Sequence, residues 1–268
     1  MIRLPDIALP VGAAEALSRY QADVDKADTY GAQVEEAKRL FGLRNKKGNA
    51  AFDAVKATLE QMCCGAKRCA YCEDSMADEV EHVRPKDLYP QVVFRWTNYV
   101  NACGPCNGPK GNHFAVLPAG ANAPVEVARK PNDPVAPPRD GVPAFIDPRC
   151  EDATAVMILD LQGTFGFAPL AAKGTRDYVR AAYTIKVLKL NRPILTRARG
   201  QAYVDYFNFV RRYERDRDSK SSAAHLRYLV DTLRARQHPT VWREMQRQRE
   251  KLPELQNLFA AVPEAAAW

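Results

Sequence analysis

The sequence predicts an α+β protein: a mostly helical chain that carries a small metal-organised module and, further on, a short β-hairpin. Three observations lead to this. Apolar residues recur at helical spacing on both sides of the module. Six of the seven cysteines fall within residues 63–115, where that periodicity disappears. The stretch TAVMILDLQGTFGFA, residues 154–168, sets apolar β-formers around Gln162-Gly163, a hairpin turn signal.

Four regions follow in order. Residues 1–62 form a helical region, with apolar spacing through VEEAKRLFGL and AAFDAVKATLEQM and a break at Asn45-Lys46-Lys47-Gly48-Asn49. Residues 63–115 are the cysteine-bearing module. Residues 116–153 form a connector, whose Pro-rich part ends in DPVAPPRDGVP and is too proline-dense to predict regular structure. Residues 154–268 hold the hairpin and then amphipathic helices, beginning with TRDYVRAAYTIKVLKL. No internal repeat is visible.

The charge is uneven. The chain carries a net +7, yet residues 175–251 hold 19 Lys and Arg against 8 Asp and Glu, a balance of +11 that leaves −4 for the rest. A basic C-terminal half points to a polyanionic partner or to a solvated helical surface. Arg176, Arg180 and Lys186 are candidates to track a phosphate backbone, with Arg192 and Arg197 extending the line. No apolar run is long enough for a membrane span. The opening segment is broken by Pro5 and Pro10, which argues against a signal peptide and makes the cytoplasm the expected location.

Cys69-x2-Cys72 and Cys103-x2-Cys106 are two knuckles with 30 residues between them. Each lets two thiolates reach one ion from a tight turn, and together they complete the tetrahedral four-cysteine arrangement of structural zinc. Such a closed site leaves no position for substrate, so its expected role is to staple a segment too short to hold itself by burial. Cys63 and Cys64 continue the apolar face of the preceding helix and read as buried free thiols, although either could replace Cys69. Cys150 has no evident partner.

Between and just after the knuckles lie EVEHVRPKDLYP and FRWTNYVNACGPCNGPKGNHF. Glu81 offers a hard oxygen ligand, His82 a base near neutral pH, and Asn107 a neutral oxygen ligand. Asn98 can orient an imidazole, and Arg84, Lys86 and Lys110 can meet phosphate oxygens. A hard-oxygen metal site beside a positioned base is what phosphodiester hydrolysis needs. If Glu81 and His82 lie on a strand, their side chains point opposite ways, so a bend or bulge is expected to bring both to the substrate.

This string resembles an HNH endonuclease of ββα-metal fold: C-x2-C, an acid-His pair, an Asn five residues before the second C-x2-C, then an Asn and a nearby Lys. YCE, EHVRPK, YP, W-x-N and CN-x-x-KG, with the later FIDPR and TIKVLKLNR, are similar to HNH nucleases of retron and Septu-type bacterial antiphage systems. The resemblance implies His82 as general base, Glu81 and Asn107 as ligands of a catalytic divalent ion, Asn98 as organiser of the loop, and zinc on the four cysteines. The third motif position is Asn107 rather than histidine, which favours Mg²⁺ or Mn²⁺. His113, six residues on, falls off the same helical face. The resemblance also implies DNA as substrate and an ATPase subunit as partner. The rival expectation is a non-catalytic zinc module that binds nucleic acid or a protein, which would not need Glu81, His82 and Asn107.

Overall fold

The computed structural model describes all 268 residues of the chain. Three N-terminal helices, α1 (Val11–Asp25), α2 (Tyr30–Arg44) and α3 (Ala50–Gln61), precede the cysteine module. Thr29 and Asn49 cap α2 and α3 by accepting from the Ala32 and Phe52 amides. Such caps contribute about 1 kcal/mol each. The α2–α3 turn runs through Asn45-Lys46-Lys47 and closes at Gly48, whose φ of 87° suits a residue without Cβ. The three helices bury one apolar cluster, which includes Leu17, Leu40, Phe41, Phe52 and Leu59.

The module follows: β1 (Glu79–His82), β2 (Tyr99–Ala102) and a short helix α4 (Gly104–Lys110). The two strands pair antiparallel in unbroken register, from Glu79 opposite Ala102 to His82 opposite Tyr99. Opposed residues share a face of the ribbon. One face, with Val80 and Tyr99, closes the N-terminal helical cluster. The other, with Val100 and Ala102, joins a much larger core that also holds the four cysteines and the C-terminal helices. The ribbon is therefore the partition between two cores.

β3 (Ala115–Leu117) is flanked by β4 (Val125–Glu126) and β5 (Val142–Pro143). The connector thus contributes two short strands, where its prolines predicted no regular structure. Pro143 is tolerated because β5 is an edge strand, where a missing amide donor has no ladder partner to lose. Gly141 makes the approach possible: a Cβ there would lie 2.7 Å from the Leu117 carbonyl oxygen.

The expected hairpin is β6 (Met157–Leu159) with β7 (Phe167–Pro169). Asp160 organises its turn by accepting from the amides of Gln162 and Thr164. Five helices complete the chain: α5 (Arg176–Val187), α6 (Pro193–Asp218), α7 (Ala223–Arg234), α8 (Pro239–Gln248) and α9 (Pro253–Ala261). About half the chain is helical and its sheets are small and antiparallel, so the fold is α+β. No helix is long and apolar enough to cross a membrane.

Candidate metal centre and active site

The first knuckle is a tight hairpin. Arg68 bridges Met76, and the Cys69 amide donates to the Ser75 carbonyl. Glu73, directly after Cys72, takes a left-handed φ of 63°, which turns the chain back. The second knuckle is the entry to α4, where the Cys106 and Asn107 amides both donate to the Cys103 carbonyl. The four sulfurs lie within 4.8 Å of one another, and all four cysteines are buried. A Zn–S length of ~2.3 Å in a tetrahedron sets sulfurs about 3.8 Å apart. Cys72 and Cys103 Sγ are 3.8 Å apart. Hydrogen bonding among the sulfurs pushes Cys69 and Cys106 up and draws Cys72 and Cys103 down. The quartet can hold a zinc ion.

Charge around the quartet is matched from the C-terminal half. Arg192, the residue before α6, donates from both terminal nitrogens to Cys106 Sγ at 3.6 and 3.5 Å. Arg199, on α6, is 2% exposed and donates to the Phe165 and Leu190 carbonyls. Four thiolates around a divalent ion leave a net charge of about −2, which two nearby guanidinium groups would offset. Arg192 therefore serves the sulfur cluster, where its sequence context predicted a phosphate track.

A cleft of about 660 Å³ opens beside the module. Glu79, Glu81, His82, Lys86 and Asn107 line it, together with Phe41, Asn45 and Lys56 from the N-terminal helices. No bulge interrupts β1, in contrast to the expectation. β1 is instead the free edge of a two-stranded ribbon, so a cleft wrapped around that edge reaches side chains on both faces. His82 and Glu81 meet the same space from opposite sides.

His82 is buried against Phe41 and Tyr99, with ring centroids 4.5 and 5.1 Å away. Its Nε2 lies 2.9 Å from the Val93 carbonyl oxygen. A carbonyl only accepts, so Nε2 carries the proton and Nδ1 keeps its lone pair. Burial, helped by the Lys86 and Lys110 charges, pulls the His82 pKa down to about 3. The ring is neutral at physiological pH.

No hydrogen bond joins Asn98 to His82. It accepts from the Arg84 amide and donates to the Arg84 and Val92 carbonyls, which pins the two ends of the intervening loop together. That loop presents the Val93 carbonyl, so Asn98 orients the imidazole at one remove. Tyr99 adds a hydroxyl hydrogen bond of 2.6 Å to the same carbonyl.

On the other face, Glu81 is 2.5 Å from Lys110 Nζ. Burial pushes the Glu81 carboxyl above the usual range, against the opposing pull of Lys110. Lys110 is fully buried and also donates to the His82 carbonyl at 2.8 Å. It neutralises Glu81 and ties α4 to β1, where sequence position predicted a phosphate contact. The Asn107 amide hydrogen-bonds the Glu79 carboxylate. Gly104 leaves room for that carboxylate, since a Cβ there would stand 3.3 Å from Glu79 Oε1.

The remaining candidates are dispersed. Lys86 lines the cleft and lies 5.7 Å from the Phe41 ring centroid, whereas exposed Arg84 stacks on Tyr89. Arg176 donates to the Leu117 carbonyl, and Arg180 pairs with Glu151 at 2.7 Å while holding the Pro143 carbonyl. These two arginines bolt α5 to the small sheet and the segment after it. Lys186 is exposed. His113 faces Glu126 at 3.8 Å and does not line the cleft. Cys63 and Cys64 are half-buried free thiols, and Cys150 is exposed. Sequence reasoning missed Glu79, which strand periodicity places on the face of Glu81 two residues on. It also missed the Phe41, Asn45 and Lys56 wall, for which no local signal exists.

Comparison with known proteins adds one relative. The chain is 37% identical over 85 residues to the Septu protein PtuB of Bacillus thuringiensis, a match covering 30% of this chain and 33% of that protein. The chain therefore spans about a third of the length of the curated relative it matches. No family model matches. No solved structure matches.

Cys103→Ser should leave the purified chain with substoichiometric zinc and a lowered Tm, read by elemental analysis and thermal unfolding. Arg192→Met should keep the zinc but release it faster to a chromogenic chelator, and release at the wild-type rate would remove Arg192 from the metal centre.

Proposed function

We propose that the cleft hydrolyses phosphodiester bonds, and that the chain is a metal-dependent HNH endonuclease acting on DNA in antiphage defence. The observation that carries this reading is His82: a neutral imidazole whose Nε2 is committed to a carbonyl and whose ring lines a cleft it shares with oxygen donors. A zinc-stapled ribbon has no structural need for a histidine held in this way. The ribbon followed by α4, with the second knuckle at the helix start, supports the ββα resemblance. The partial likeness to PtuB supports the defence context.

In this reading His82 Nδ1 takes the proton of an attacking water, and the Val93 carbonyl stabilises the imidazolium through Nε2–H. Glu81 and Asn107, with Glu79 beside them, would hold Mg²⁺ or Mn²⁺, which supplies charge stabilisation at the phosphate and the leaving oxygen. Lys110 holds one Glu81 oxygen and so orients the other. Asn98 and Tyr99 keep the acceptor of the His82 proton in place. An ATPase partner, implied by the family resemblance, would restrain or direct the cutting.

The test is incubation of the purified chain with plasmid DNA and Mg²⁺. His82→Ala should lower cleavage by about 10²–10⁴-fold with zinc content unchanged. Equal cutting by the variant would move the chemistry elsewhere, and no cutting by either would favour a binding module. Glu81→Ala should raise the Mg²⁺ concentration needed for half-maximal cleavage or abolish it. An unshifted Mg²⁺ titration would deny Glu81 the role of ligand.

A further inference from the structure

The basic residues of the N-terminal helices and the turns between them divide into two groups. Arg19, Lys26, Lys38 and Arg39 all pair with a carboxylate. The other basic residues between Val11 and Gln61 are Arg44, Lys46, Lys47 and Lys56, none of which has an ion-pair partner. They are not scattered. All four lie at the α2–α3 turn or within two turns of it. Arg44 stacks over the Tyr20 ring at 4.7 Å, Lys46 and Lys47 are exposed, and Lys56 lines the cleft together with its neighbour across the turn, Asn45. Lys86 lines the same cleft over the Phe41 ring of α2, also without a carboxylate partner. The lining is otherwise acidic, with Asp78, Glu79 and Glu81.

Opposite charges three or four residues apart on a helix stabilise it slightly, and like charges at that spacing cost a similar amount. Leaving a run of cations unpaired costs the self-repulsion of like charges, and a polyanion would relieve it. The two signs have different uses: the carboxylates of the lining attract a divalent cation, whereas the unpaired lysines attract the phosphate that cation is to meet. Three of the C-terminal arginines that the sequence offers for phosphate are otherwise engaged: Arg180 is paired to Glu151, Arg176 holds a backbone carbonyl and Arg192 holds Cys106.

We infer that the α2–α3 turn, with Lys56 in the lining of the cleft and exposed Lys46 and Lys47 outside it, holds the phosphate backbone, and that the N-terminal helices present nucleic acid to β1. This deepens the nuclease reading and rests on it for the substrate, but its test is a binding measurement that needs no cleavage.

The experiment uses the whole 268-residue His82→Ala chain without added Mg²⁺, with fluorescein-labelled duplex DNA and, in parallel, a labelled single-stranded RNA as probes. Binding is followed by anisotropy across a salt titration. Three exchanges to alanine, at Lys46, Lys47 and Lys56, form the turn variant. Three at Lys186, Lys220 and Lys251, exposed lysines of the C-terminal half, form a control of equal charge. Each phosphate neutralised by a lysine contributes about 0.9 to the slope of log K against log salt for duplex DNA. The turn variant should weaken binding and flatten the slope by about 1 for every phosphate no longer held, whichever probe the parent prefers. The control should retain the parental slope. An unchanged slope in the turn variant, equal losses in both variants, or a parent with no salt-dependent affinity for either probe would each overturn the inference. Cleavage that requires His82 but ignores the three lysines would leave the nuclease reading standing and remove this one. Lysine-dependent binding without any cleavage would do the reverse. Zinc content and circular dichroism equal to the parent show that the variants are folded.

Discussion

The quartet of sulfurs is the constraint on which the rest depends. β1 and β2 offer only four residues each, and a two-stranded ribbon of that size is marginal in water. What fixes it is attachment at both ends. Cys69 and Cys72 lie just upstream of β1, and Cys103 and Cys106 open α4 directly after β2. A common ion would close the loop between the knuckles and set α4 across the ribbon. That placement brings Asn107 to Glu79 and Lys110 to Glu81. The side chains of the cleft are thus positioned by atoms that take no part in it.

The metal centre is also the hub of the long-range contacts. Glu73 and Asp74, the two residues after Cys72, reach the start of α8. Glu73 accepts from the Thr240 amide and hydroxyl, and Asp74 faces His238 Nε2 at 3.1 Å. Arg192 reaches Cys106 from the start of α6. Each knuckle is therefore tied to a different C-terminal helix. The C-terminal half has many cations but uses several of them to cross-link the chain. Arg199 sits inside the core, with its guanidinium 4.4 Å from the Phe167 ring centroid.

Much of the centre is legible in the sequence. Two C-x2-C pairs announce a four-sulfur site because the spacing alone allows two thiolates per turn. The adjacency of Glu81 and His82 announces a cleft, but not the route to it. Diverging strand neighbours suggest a bulge. A free strand edge solves the same problem without one, and whether a strand is an edge is decided by tertiary partners. Glu79 is accessible to the same period-two reasoning that locates Glu81. Lys110 is not, since its burial depends on α4 docking over the ribbon. Arg176 and Arg180 read as a basic face because sequence shows charge but not the carbonyls and carboxylate that claim it.

Buried charge within the module has a consistent logic. Lys110 in the apolar interior is sustainable because Glu81 and the His82 carbonyl satisfy it, and removing one member of such a pair typically costs about 3–5 kcal/mol. The same pair leaves one Glu81 oxygen directed by geometry rather than by solvent. His82 is buried without a carboxylate partner, so it stays neutral, and the Lys86 and Lys110 charges reinforce that state. Burial first, and the Lys86 and Lys110 charges after it, thus hold the imidazole in its neutral form.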